Sequence, residues 1–291
     1  MSQAPPAARA GAREEPAPQR RGLPVTGQVR WMGLPEALHA EWTKLRTLAG
    51  TGWLLVAVVA VTVVASAAAS AAARCPPGVA CPVDTTKLSL TGIEAGQAVV
   101  AILAVLAISG EYSTGMIRTT LTAMPRRATV LAAKAAILTG LVLVSGTIAA
   151  LGCLLAGWLI LPGHGFTPAH GFPPLSLGDG PTLRAMAGSV LYLALVALLS
   201  LGTATAVRDS GTAIGIILGL LYLFPIIAQV VNPQWYRHLQ QIGPMTAGLA
   251  IQATTGLRSL PISPWAGLGV LAAWAAAALL GGGLLLRLRD A

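Results

Sequence analysis

Few residues in this chain could do chemistry, and their spacing groups them into four places. The run Glu111-Tyr112-Ser113-Thr114-Gly115-Met116-Ile117-Arg118 closes on Pro125-Arg126-Arg127 and is followed by Lys134. A carboxylate, a glycine that permits a turn, an arginine among apolar residues and a basic pair suit a short helix offered to a partner. They suit a plain basic loop that fixes topology equally well. Glu41, Trp42 and Lys44 form a second group, in which a carboxylate falls on the apolar face of an amphipathic stretch. Lys44, three residues on, is its local partner. Cys75 and Cys81 bracket Pro76-Pro77-Gly78-Val79-Ala80, a turn able to close a disulfide outside a reducing compartment. Gly211, Gly215 and Gly219 recur every four residues and allow close helix approach, within one subunit or between two.

Enzyme signatures are missing. No Gly-x-x-x-x-Gly-Lys-[Ser/Thr] run occurs, and only Lys44, Lys87 and Lys134 could fill its lysine. His-Glu-x-x-His and Gly-x-Ser-x-Gly are also absent, and His39, His164, His170 and His238 all fall outside the apolar runs. Two cysteines are too few for a zinc site, so no metal is expected. Cys153, inside an apolar run, reads as a small packing residue. Glu94, Glu111 and Asp209 stand at the ends of such runs, not midway, so no buried acidic relay of the kind ion-driven carriers use is in view.

The elements that must position these residues follow from composition. Of 291 residues 55% are hydrophobic and only 10% charged, with a mean hydropathy of +0.71. A water-soluble domain carries roughly 25% charged residues, so lipid is the expected solvent. Six windows reach the roughly twenty apolar residues that a bilayer core demands. They are Thr51–Ala73, Ile93–Gly110, Val130–Leu161, Arg184–Val207, Thr212–Val231 and Pro264–Leu286. None alternates with period two, so helices and not barrel strands are expected. The third window exceeds a membrane's need and should tilt or project. Five spans and a re-entrant segment is the alternative count. Pro225, late in the fifth window, should kink it.

Charge sets the orientation. With the N-terminus in the cytoplasm, fourteen of the 19 Lys and Arg lie inside and five, Arg74, Lys87, Arg184, Arg237 and Arg258, outside. The net charge of +9 therefore reads as topology and not as nucleic-acid binding. The expected fold is an all-α integral membrane protein of six transmembrane helices, preceded by an amphipathic interface helix, with both termini cytoplasmic. Residues 1–33, rich in Pro, Ala and Arg without periodicity, read as a disordered cytoplasmic tail with no cleavable signal. Residues 34–50 form the interface helix: at about 100° per residue Leu34, Leu38, Trp42, Leu45, Leu48 and Ala49 share one face. Residues 51–291 make the six-helix domain, with a loop at 111–129 and an outer segment at 232–263. In the latter, Trp235, Tyr236, Leu239, Ile242, Met245, Leu249 and Ile251 would sit at the outer interface or dip into it.

Glu-x-x-x-Gly-Met-Ile-Arg from Glu111, the closing Pro125-Arg126-Arg127 and the later Lys134 resemble the first intracellular loop of ABC-2-type ABC transporter permeases. Ala40-Glu41-Trp42-Thr43-Lys44-Leu45-Arg46 resembles the interface helix that opens bacterial members, and the order of parts matches over Leu34–Leu286. Many members carry Thr where this chain has Met116. The resemblance implies a coupling helix at Glu111, Gly115, Met116, Ile117 and Arg118 that docks on a separate ATPase subunit, present in two copies. It further implies short re-entrant helices in the outer segment and a homodimer, with Gly211, Gly215 and Gly219 beside its contact. This chain itself would bind no cofactor, ATP and Mg being held by the ATPase. It would be no enzyme but a multi-pass permease in the bacterial plasma membrane, in contact with lipid and not with nucleic acid. Its cargo would be apolar or amphipathic, since the spans carry so little charge. A stand-alone channel, or another ATPase-independent membrane protein, is the competing reading.

Overall fold

The computed structural model of the chain describes residues 34–47, 49–76, 81, 83–113, 127–172, 175–223, 225–227 and 233–288. Most of the described residues are helical, with no strand among them. Among the described residues the α-helices are α1 (Leu34–Thr47), α2 (Ala49–Ala72), α3 (Thr85–Ser89), α4 (Ile93–Ser113), α5 (Arg127–Ile160), α6 (Gly180–Val207), α7 (Ser210–Leu218), α8 (Pro233–Ile242), α9 (Pro244–Gly248) and α10 (Pro264–Leu288). Among the described residues, six segments are long and apolar enough to cross a membrane: Gly50–Ala72, Ile93–Gly110, Ala128–His164, Gly180–Val207, Ser210–Ile227 and Pro264–Leu286. They fall where the hydropathy windows put them, and the protein is an all-α, multi-pass membrane protein. The tail at 1–33 and most of the loop at 111–129 lie outside the described residues.

Apolar side chains distribute as a lipid solvent dictates. Trp53, Val64, Leu159 and Leu280 are more than 60% exposed, a pattern that only hydrocarbon tolerates on this scale. The core gathers around α6, the most buried of the six spans, which packs against α4, α5, α7 and α10. Tyr192, Leu193, Val196, Leu199 and Leu201 on α6 meet Val100, Leu103 and Ala104 on α4 and Leu271 and Ala275 on α10 within one apolar cluster. Where α6 crosses α10, Gly202 and Gly282 bring the two backbones into contact. A methyl on either would overlap the main chain of the facing helix, at Ala278 or at Gly202. Small residues at a crossing let helices approach where side chains would hold them apart.

Two devices break the regularity of the bundle. Arg208 ends α6 in the left-handed region at φ 67°, and Asp209 then caps α7 by accepting the Thr212 backbone N–H at 2.7 Å. That bond, with one from the Thr212 hydroxyl, holds the Asp209 carboxyl below its ordinary range. Further along, α7 passes into a π-turn over Gly219–Leu223, just before Pro225. A proline cannot donate to the preceding turn, and the wider π repeat absorbs the break that the sequence leads one to expect there.

Candidate functional site

The bundle has two ends, named here for the helices at each. At the α1 end, α1 lies on the first turns of α5 and touches the start of α2. Leu38 packs on Val130 and Ala133, a small apolar cluster apart from the main core. One turn further along the same face stands Glu41, fully buried. Its carboxylate accepts from Lys44 Nζ at 3.0 Å and from Lys134 Nζ at 2.5 Å. The Glu41 and Lys134 side chains are 1% and 2% exposed, whereas that of Lys44 is 30% exposed. Lys44 is the neighbour that helical spacing foretells. Lys134, 93 residues away, is the one that shares the burial.

This changes two expectations. In sequence Glu41 stands on an apolar face with Lys44 as its local partner, either reaching out to water or buried, and the structure buries it. Lys134 reads in sequence as one more basic residue after the loop, yet it lies inside α5, two turns from its start. Burial of either charge alone would be costly, so each explains the other's position. Trp42, on the apolar face read in sequence, is 45% exposed at the edge of α1. It closes one end of an apolar groove of about 780 Å³ between α2 and α5, along which Val56, Ala60, Gly140, Val144 and Ile148 are placed.

The remaining candidate residues are dispersed. Glu111 belongs to the last turn of α4, and Gly115, Met116, Ile117 and Arg118 lie outside the described residues. Gly215 and Gly219 have nothing within 4 Å of where a Cβ would stand, and Gly211 has only Asp209 Oδ2, at 3.6 Å. The described residues of one copy leave this face open at Gly215 and Gly219. Cys75 and Cys81 are bridged, and Cys75 also joins Leu161 and Phe166 in a satellite cluster at the other end of the bundle. Cys153 is free and buried. Among the described residues, no three of His, Cys, Asp or Glu gather closely enough to hold a metal ion.

The α3 end carries a polar network that sequence reasoning missed. After α8, the chain turns through α9 and a 3-10 turn at Leu249–Gln252, whose Leu249, Ile251 and Gln252 are buried against α6 and α10. Trp274 Nε1 on α10 donates to the Ile242 carbonyl at 3.0 Å, holding the end of α8. Gly188 and Gly248 make room for this segment, since a methyl on either would overlap Ile251 or the Tyr192 ring. Gln252 Nε2 donates to Ser189 Oγ at 3.1 Å, and Arg184 donates to the Ala253 carbonyl at 2.6 Å. Asp84, at the N-terminus of α3, accepts from the Thr254 backbone N–H and hydroxyl at 2.5 and 2.7 Å, and from the Thr255 and Lys87 N–H groups at 3.0 Å. Partial burial pushes the Asp84 carboxyl up, but these hydrogen bonds outweigh it and hold it below its ordinary range. Deeper still, Tyr192 donates to Gln97 Oε1, Gln97 Nε2 reaches Met245 Sδ at 3.3 Å, and Tyr222 donates to the Glu94 carbonyl. Asp84 was not singled out in the sequence; its position directly before Thr85-Thr86 is that of a helix cap, a signal that points to Lys87 but not to its second set of partners, 170 residues away.

No family model matches the chain, and no curated protein matches it. The residues themselves therefore define the class: a helical, multi-pass membrane protein with an ion-paired peripheral helix at one end and a polar-stapled cap at the other.

Proposed function

We propose that this chain is the permease subunit of an ABC-2-type exporter, driven by a separate ATPase and located in a bacterial plasma membrane with both termini in the cytoplasm. The observation that carries this reading is the buried Glu41–Lys134 pair. It ties α1 to the start of α5, the helix that follows the loop resembling a coupling helix. A loop that receives a push from a partner protein transmits it only if the elements at its base move together, and a fully desolvated ion pair is a firm way to join two helices. In this reading α1 lies in the cytoplasmic interface. Nucleotide-driven closure of two ATPase copies pushes on Gly115–Arg118, and α1 and α5 carry the movement into the bundle. The open Gly211–Gly215–Gly219 face accommodates a second copy of the chain, and the capped α3 end closes the route on the far side. An apolar or amphipathic cargo suits spans with so little charge.

A channel within one copy is the weaker alternative, because the centre of the bundle is filled by the side chains of α4, α6 and α10. The test is co-purification of the tagged full-length chain with its ATPase, together with an ATP-dependent transport assay. Gly115→Pro and Arg118→Glu should leave the chain inserted but abolish ATPase recovery or its stimulation. Full recovery and full transport with both variants would remove the coupling role and the exporter reading with it.

A further inference from the structure

Glu94 carries a charge into the first turn of α4, half-buried, where the second span begins. Its backbone is engaged, since the Glu94 carbonyl accepts from the Tyr222 hydroxyl. Its carboxylate accepts no hydrogen bond and forms no ion pair among the described residues; Lys87, exposed on α3, is the cation whose field reaches it. Glu41 and Asp84, by contrast, each hold at least two donors. An ionisable side chain drawn partly out of water inside a span is costly, so a partner for Glu94 is expected.

The surroundings of Glu94 select that partner. Tyr222 reaches α4 from the π-turn that follows α7, and Met245 comes from α9 in the cap. Both are partly exposed, as Glu94 is, whereas Gln97 and Tyr192 beneath them are buried. Gln97 Nε2 donates to Met245 Sδ and Gln97 Oε1 accepts from Tyr192, which fixes the floor on which the three groups meet. A hard metal ion takes about six oxygen ligands, and one carboxylate is offered here. An organic cation asks for one opposite charge and polarisable apolar faces, which Glu94, the Tyr222 ring and the Met245 thioether supply. Leu223, Ile226 and Ile227, next along the chain, are more than half exposed and give an apolar body a place to lie.

We propose that Glu94, Tyr222 and Met245 bind the positively charged group of an organic monocation with an apolar body. At the first turn of a span the charge lies near the interface while the body enters hydrocarbon. That such a cation is the cargo rests on the exporter reading; its binding does not.

The experiment is equilibrium dialysis of the full-length chain in phosphatidylcholine nanodiscs, without ATPase, with uptake by empty discs subtracted. The probes are tetraphenylphosphonium and tetraphenylborate, a cation and an anion of the same shape. Tetraphenylphosphonium should bind saturably, one per chain, and tetraphenylborate should not. Glu94→Gln, which keeps the shape of the side chain, should weaken binding about ten-fold, the loss of one close charge pair. Tyr222→Ala should weaken it about three-fold, and Tyr222→Phe, which keeps the ring, hardly at all. Saturable binding of both ions alike, no saturable binding of either, or unchanged affinity in Glu94→Gln would overturn the proposal. Failure to bind in a chain that still recruits its ATPase overturns this inference and leaves the exporter reading in place, and binding by a chain that recruits none does the reverse.

Discussion

Replacing Lys134 with methionine keeps the length and apolar stem of the side chain and deletes its charge. Glu41 then remains as a carboxylate 1% exposed, with only Lys44 to answer it. Breaking a buried pair by removing one partner costs about 3–5 kcal/mol. The surviving Glu41–Lys44 contact joins neighbours on one helix and is partly in water, so it offsets only about 0.2–0.5 kcal/mol of this. A net loss near 3 kcal/mol should fall on the docking of α1 and not on the bundle, because the pair joins only α1 to α5. In hydrogen exchange of peptides from 34–47, measured in lipid nanodiscs, that loss is roughly a hundred-fold drop in protection. Peptides from α6 should not change. The pair Glu41→Leu with Lys134→Met should recover most of the protection, since neither member of the buried pair is then left as an uncompensated charge. Lys44→Ala should lower protection less than three-fold, for an exposed pair of this kind. Unchanged exchange in Lys134→Met, or an equal loss in Lys44→Ala, would refute the claim that Lys134 holds α1 in place.

Three further outcomes are expected. The hydrogen bonds to Asp84 favour its ionised form and depress its folded pKa, so their stabilisation is complete above the unfolded value and disappears as pH falls through the folded one. Exchange at 249–255, corrected for its intrinsic rate, should therefore be flat from pH 7 to 5 and rise only below about pH 4, whereas Asp84→Asn should lose about 1–2 kcal/mol between pH 7 and 5, a difference that closes as pH falls below about 4. Gly248→Val should cost about 1–3 kcal/mol in thermal unfolding through overlap with Tyr192; Gly140→Val, with open space around it, should be nearly silent. In a cysteine-free background, single cysteines at Ser113 and Ala291 should be shielded from an impermeant thiol reagent in intact cells, and those at Thr85 and Ala169 labelled. Labelling at Ala291 but not at Ala169 would mean an odd number of crossings.

What could be read in the sequence was what depends on neighbours. Hydropathy located six spans because a bilayer imposes a minimum length on every apolar run. Periodicity marked α1, and it marked Glu41 as a residue out of place on an apolar face. It could offer only Lys44 as partner, because helical spacing reports three or four residues and Lys134 lies 93 away. The cap at the α3 end depends on Asp84 meeting Thr254, and on Gly188 and Gly248 leaving space for Ile251 and Tyr192. None of these pairings has a local signal, since a glycine that admits a distant side chain looks in sequence like any other.

The contact of Gly202 with Gly282 limits how this bundle can move. Where two helices meet through long side chains, rotamer changes let one slide past the other by an ångström or more. Where main chain rests on main chain there is no such slack, and translation would drive a carbonyl into a peptide plane. The α6–α10 pair is therefore a strut that can rotate about its crossing point but cannot shear. Any rearrangement of the spans must be taken up elsewhere, and α7, whose regular repeat is already broken by its π-turn, is the neighbour built to do so.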